Sequence, residues 1–300
     1  MRTPKLPNVP FRWPDAERAG FTRWHFRQLV ENGHVRQVLH GVYQTADLPC
    51  TIENRSRAAA LVLNSFEVLR DRTAAWVHDV DTFEYRELEI LPPVETSVLR
   101  GHTRTRRTGC AGGHRDLAFR DVIVLGGVPV TTPLRTALDL GCKLSRSSAL
   151  AALDGFMRVQ GITREQMEAE LPRYRRRRGV VQLRQLVPLA DPRAESPGES
   201  WTRIAILDAG LPAPQLQHWV CEGGRKVFRL DLAYPLSRVA VEYDGREFHD
   251  SPERRAADRK RRKWLTDRGW TVIVVDKDML TAAAVAQWLG GLRTALQIAG

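Results

Sequence analysis

The sequence predicts a multi-domain α+β protein, and three observations carry that prediction. At 300 residues the chain is longer than one compact core usually supports. Helical and strand-like periodicities both recur along it, so neither an all-α nor an all-β reading fits. A stretch containing Pro188, Pro192, Ser196 and Pro197 marks a linker before the last third, where the order of elements is most legible. The expected division is residues 1–50, 51–190 and 191–300.

Composition narrows the partners. With 43% hydrophobic and 27% charged residues the chain can bury real cores and is not disordered by composition. A net charge of +11 and a pI near 10.1 favour phosphate-rich partners, nucleic acid first among them. Cys50, Cys110, Cys142 and Cys221 lie far apart, without a Cys-x-x-Cys pair or a histidine at ligand spacing, so neither a zinc site nor a disulfide framework is indicated. They read as thiols of a reducing compartment. Residues 1–11 carry no apolar stretch, and no run approaches about 18 apolar residues, so a cytoplasmic protein without a membrane partner is expected.

The first element is a short helix over 15–19 that stops at Gly20. Thr22 then caps a second helix, with Phe26, Leu29 and Val30 at core-facing spacing and Gly33 as its stop. Residues 35–39 and 41–43 follow as two short strands. Helix, tight turn, helix and ribbon are the parts of a winged helix-turn-helix. In that motif the second helix enters the major groove, which turns Arg23, Trp24, Arg27 and Gln28 towards DNA and leaves Arg36 and His40 near the backbone. The stretch AERAGFTRWHFRQLVENGHVRQVLHGVY resembles the N-terminal winged-helix domain of the antitoxins of type IV toxin-antitoxin systems, its LHGVY ending being the more telling half. That resemblance implies binding to promoter DNA.

Residues 51–190 hold no catalytic constellation and read as α+β. The pattern predicts a helix over 54–69, a short apolar helix over 72–76, and strands over 88–91 and 121–125. Thr132 followed by Pro133 opens a helix running to Leu140, and helices follow over 148–160 and 163–171. The last begins with a Thr163-x-x-Gln166 capping box. Two basic runs, 104–107 with Arg100 and 173–178, can track a DNA backbone or be solvated faces. The stretch GVPVTTPLRTALDL resembles proteins that join an antitoxin-like winged helix to a nuclease-like tail.

The last third reads as a helix over 197–209 stopped by Gly210, a strand over 215–221, and a hairpin turn at Glu222, Gly223 and Gly224. Strands over 226–234 and 238–243 flank a break at Pro235. A basic helix over 253–268, a strand over 270–275 and a helix over 282–298 complete it. The order α-β-β-β-α-β is the core of the PD-(D/E)XK, or restriction-endonuclease-like, nucleases. Side chains alternate along a strand, so Glu242 and Asp244 share one face, and Asp231 sits on the neighbouring strand. Three such carboxylates repel one another unless a cation intervenes, and carboxylate oxygens with water suit Mg²⁺ or Mn²⁺. An ion there can polarise a phosphoryl oxygen and orient a water for in-line attack on a phosphodiester. Pairing with Arg225, Arg229, Arg238 or Arg246 is the structural alternative.

The stretches RLDLAYPLSRVAVEYDGREFH and RRAADRKRRKWLTDRGWTVIVV resemble the Vsr-like branch of that superfamily. The resemblance implies metal ligation by Asp231 with Glu242 and Asp244, followed by Gly245. It also implies His249 as general base or leaving-group acid and an acid on the first helix at Glu199. Ser196-x-x-Glu199 with Pro197 at the first helical position is equally a capping box. The superfamily's signature lysine is replaced by Asp244, leaving Lys226, Lys260 and Lys263 as candidate substitutes. Arg259 and Arg262, with Asp258 and Arg261 beside them on the basic helix, are expected to face the phosphate backbone or to order the site, a solvated face being the structural alternative.

The expected function is therefore a protein that binds double-stranded DNA and cuts it with a metal-dependent endonuclease domain. The rival is a non-catalytic DNA-binding regulator of the type IV antitoxin kind, and an RNA-directed nuclease comes third. The sequence leaves a toxin partner and a homodimer open.

Overall fold

The N-terminal signals act locally as predicted. In the computed structural model, which describes residues 5–64, 66–82, 92–99, 101–245 and 252–297, Thr22 accepts a hydrogen bond from the His25 N–H at 3.3 Å and starts the second helix. The chain forms two compact units, Met1–Leu140 and Gly141–Gly300. In the first, β1 (Phe11–Arg12) leads into α1 (Trp13–Arg18), α2 (Arg23–Glu31), β2 (Val35–Leu39) and β3 (Val42–Thr45). Gly41, at φ +72°, makes the left-handed turn between β2 and β3 that a side chain would strain. Phe26 carries the amphipathic face of α2 onto Phe11, Ala16 and Val35. The two-residue β1 was not anticipated. It pairs Phe11 with Tyr43, closing a sheet of order β1-β3-β2.

Next come α3 (Ile52–Ala60), β4 (Glu67–Leu69), α4 (Asp71–Val77), β5 (Val94–Val98), β6 (Cys110–His114), β7 (Val122–Leu125), β8 (Val128–Thr131) and α5 (Pro133–Lys143). The helix expected over 54–69 is corrected here. It stops as α3 at Ala60, and Glu67–Leu69 become the middle strand of a five-stranded sheet, order β6-β5-β4-β8-β7. Partners distant in sequence decide this. Glu67 accepts from the Asn64 N–H at 3.0 Å and from the Thr96 hydroxyl on β5 at 3.0 Å, and β4 pairs with β5 and β8. Sequence periodicity registers none of these pairings. The strand expected over 88–91 and Arg100 lie outside the described residues.

The second unit begins with α6 (Arg146–Gln160), α7 (Arg164–Glu170) and α8 (Val180–Leu186). The Thr163 capping box forms, with Thr163 Oγ1 accepting from the Gln166 N–H and Gln166 Oε1 from the Thr163 N–H. Then follow α9 (Pro197–Asp208), β9 (Gln215–Glu222), β10 (Arg225–Tyr234), β11 (Val239–Tyr243), α10 (Pro252–Thr266), β12 (Thr271–Val275) and α11 (Ala282–Ala295), the element order read from the sequence. The sheet runs β12-β11-β10-β9, with β9, β10 and β11 antiparallel and β12 parallel to β11. Ile206 of α9 and Trp288, Leu289 and Leu292 of α11 pack with Leu216, Leu232, Val239 and Val241. Leu265 of α10 packs with Leu230, Ala233 and Ala240. The sheet thus has helices on apolar surface at both faces, which is why β11 reads as an almost continuous apolar run.

No disulfide joins the four cysteines. No described helix is long and apolar enough to cross a membrane.

Candidate acidic site and nucleic-acid face

Antiparallel pairing delivers the first two acids. Leu232 stands opposite Val241, so Asp231, one residue before Leu232 on β10, and Glu242, one residue after Val241 on β11, come to face one another. Asp231 Oδ2 accepts a hydrogen bond from the Tyr243 N–H at 3.2 Å. Glu199, from the first turn of α9, is the third acid and is buried at 7% exposure. The Ser196 cap of α9 forms, but the reciprocal half of a capping box does not, since the Glu199 carboxylate accepts from the Glu195 N–H and not from the Ser196 N–H. The Glu199 N–H donates to Ser196 Oγ at 3.2 Å and Glu199 Oε1 accepts from that hydroxyl at 3.1 Å. Its Oε2 accepts from the Glu195 N–H at 3.0 Å and from Gln217 Nε2 of β9 at 2.8 Å. It also lies close enough to Asp231 to disturb its ionisation. Burial, Glu199 and Glu242, in that order, push the Asp231 carboxyl up to about 7, against the opposing pull of the Tyr243 N–H and Arg261.

The trio brought together is thus Glu199, Asp231 and Glu242. Asp244 follows directly after β11. Its N–H continues the parallel ladder to Val275 O at 2.8 Å, and its carboxylate lies 3.9 Å from Arg262 Nη2. His249 lies outside the described residues.

A cation already stands beside Glu242. Arg261, on α10, donates through Nη1 to Glu242 Oε2 at 2.9 Å and through Nη2 to Oε1 at 2.5 Å, and Nη2 also reaches Arg229 O at 2.9 Å. Glu242 is only 7% exposed, so this two-pronged pair compensates a charge that burial would otherwise make costly. In this arrangement the carboxylates do not fit a divalent ion. Both oxygens of Glu242 are engaged by the guanidinium, and among the described residues no group of three or more His, Cys, Asp or Glu side chains is placed to hold a metal.

None of the three lysines proposed as substitutes is seen at these acids. Lys226 Nζ lies 5.3 Å from the centre of the Trp219 ring, Lys263 pairs with Asp267 at 3.0 Å, and Lys260 is exposed. Arg261, read from the sequence only as one of several basic residues of this helix that face DNA or order the site, is the one that pairs with Glu242. Its signal was helical spacing, since it lies four positions before buried Leu265 and so points from the basic helix towards the sheet. On the same helix Arg259 is exposed and Arg262 pairs with Asp258 at 2.6 Å.

In the first unit the residues assigned to DNA contact stand mainly on the surface. Arg23, Trp24 and Arg27 of α2 are exposed, Trp24 at 66%. The Arg23 guanidinium lies 5.1 Å from the centre of the Trp13 ring. Gln28 is part-buried and donates to Glu31 at 2.8 Å, while exposed Arg36 donates to Leu48 O at 3.2 Å. A tryptophan and two arginines on one short exposed helix present positive charge and an aromatic plane to the same solvent space, a surface suited to a phosphate backbone.

Residues 66–189 match the family model described as the AbiEi antitoxin C-terminal domain. Two uncharacterized Mycobacterium tuberculosis proteins, MT2308 of strain CDC 1551 / Oshkosh and Rv2248 of strain ATCC 25618 / H37Rv, are each 33% identical to the chain over 257 residues. In both, the similarity covers 86% of this chain and 91% of the relative.

Proposed function

The chain belongs to the family of the Mycobacterium tuberculosis proteins MT2308 and Rv2248, and from that premise we propose that it is a DNA-binding regulator of the antitoxin type. The observation that carries the reading is the match of residues 66–189 to the AbiEi antitoxin C-terminal domain, preceded in the chain by two helices and a ribbon. The first unit's α1, α2, β2 and β3 act as a winged helix-turn-helix, with α2 as the helix offered to the major groove. Its exposed Arg23 and Arg27 supply phosphate contacts and Trp24 an apolar contact. The excess positive charge of the chain draws it to duplex DNA before any sequence is read. A toxin partner, which the antitoxin match suggests, is part of the same proposal.

Gel-shift titration of the full chain on duplex DNA tests this reading. Binding is expected to weaken with salt, and replacing Arg23 and Arg27 together by Ala should flatten the log-log salt slope by about 2, roughly one counterion per lost contact. A wild-type chain that shifts no duplex at low salt, or a folded double variant with an unchanged slope, would refute it.

A second reading, a metal-dependent endonuclease built on a Vsr-like second unit, draws on the convergence of Glu199, Asp231 and Glu242 and requires an ion to displace Arg261 from Glu242. Plasmid nicking with Mg²⁺ or Mn²⁺ that Asp231→Ala and Glu242→Ala both abolish would establish it over the regulator. Binding without cleavage of plasmid, single-stranded DNA and RNA would dismiss it.

A further inference from the structure

Arg261 has the geometry of a built-in counter-ion. Its guanidinium is fixed at three points: the two oxygens of Glu242, the Arg229 carbonyl, and the Phe228 ring, whose centre lies 5.7 Å from Cζ. Phe228 in turn packs edge-on against Trp264 one turn further along α10, with ring centres 5.2 Å apart. The planar fork of arginine matches a carboxylate in a way a lysine point charge cannot, and here it meets a carboxylate buried in the sheet. Asp231 and Glu199 complete the acidic surroundings from β10 and α9, and Gln217 ties Glu199 to the sheet.

We propose that Arg261 is the resident cation of this cluster, a guanidinium standing where a divalent ion would otherwise be required, so that the second unit keeps Glu199, Asp231 and Glu242 together without metal. The inference deepens the regulator reading, for which no cleavage is needed, yet its test never measures DNA binding, so the two fail separately. It has a physical consequence. Removing the guanidinium leaves Glu242 beside Asp231 with no other cation seen paired to it among the described residues, and a divalent ion becomes the cheapest remedy.

Electron paramagnetic resonance of free Mn²⁺, titrated into the full chain, counts bound ions directly. The wild type is expected to take up no more Mn²⁺ than Glu242→Gln, and Mn²⁺ should leave its Tm unmoved. Arg261→Gln is expected to bind Mn²⁺ at least about ten-fold more tightly than the wild type, a difference of about 1.4 kcal/mol. Adding Glu242→Gln to that variant should remove the gain. A wild-type chain that binds one Mn²⁺ lost in Glu242→Gln overturns the proposal, as does a folded Arg261→Gln that binds no better than wild type. If Arg261→Gln does not fold, the wild-type titration and Arg261→Lys decide. Arg261→Lys keeps the charge but loses the fork, so Mn²⁺ should raise its Tm, and a folded Arg261→Lys indifferent to Mn²⁺ is equally fatal.

Discussion

Asp231 offers the most direct view of how the acidic cluster is balanced. Its carboxyl ordinarily titrates at 3.8 and is held at about 7 by burial beside Glu199 and Glu242. Between those values the folded chain binds more protons at this site than the unfolded chain, so its contribution to stability must fall as pH rises. The contribution is fully present below about pH 4 and is lost as pH climbs through 7. The whole shift corresponds to about 4 kcal/mol, of which about 2–3 kcal/mol disappears between pH 5 and pH 8. For a unit the size of Gly141–Gly300 that is a fall in Tm of roughly 5–10 °C. The perturbation is Asp231→Asn, nearly isosteric and unable to ionise. Urea unfolding of wild type and variant across pH 5 to 8 reads the cluster's term by difference, because titrating groups that do not interact with Asp231 cancel. The variant is expected to gain on the wild type steadily with pH, up to about 2–3 kcal/mol at the alkaline end. A difference that stays flat, or a wild type that gains on the variant with rising pH, would show that burial and the two neighbouring acids do not raise Asp231 and would refute the reasoning.

Two further outcomes follow from other buried charges. Asp154 of α6, 1% exposed, accepts from Arg203 Nη2 at 2.6 Å, from Ser200 Oγ at 2.7 Å and from the Asp191 N–H at 2.8 Å, joining α6 to α9. Asp154→Ala leaves the Arg203 charge buried without its carboxylate and should cost about 3–5 kcal/mol in thermal or urea unfolding, whereas Asp154→Leu with Arg203→Met should cost far less. A loss below about 1 kcal/mol in the single variant would contradict this. In the first unit, burial holds His78 below its ordinary value of 6.5, although its Nε2 contact with Thr131 O at 2.7 Å opposes the shift. Protons therefore favour the unfolded chain below about pH 6.5, and stability should drop as pH falls through that value. His78→Gln should remove that acid limb from a pH series of unfolding curves, and an identical limb in the variant would exclude His78 as its source.

What the sequence determined by itself was whatever depends on neighbours close along the chain. Caps at Thr22 and Thr163, the stops at Gly20, Gly33 and Gly210, the hairpin through Gly223 and Gly224, and the element order from α9 onward are products of local hydrogen bonding and of φ preference. The facing of Asp231 and Glu242 was legible too, because two strands joined by a short turn at Pro235 pair antiparallel and alternate their side chains. Tertiary structure alone decided what depends on distant partners. Glu67–Leu69 became a strand because β5 and β8 were there to pair with it, and Glu199 joined Asp231 because α9 packs on the sheet. The cation beside Glu242 was hidden for the same reason. Among many basic side chains on α10, only the one whose helical phase and reach meet a buried carboxylate avoids the cost of leaving that charge unpaired, and Arg261 meets that condition through the packing of Leu265 against the sheet.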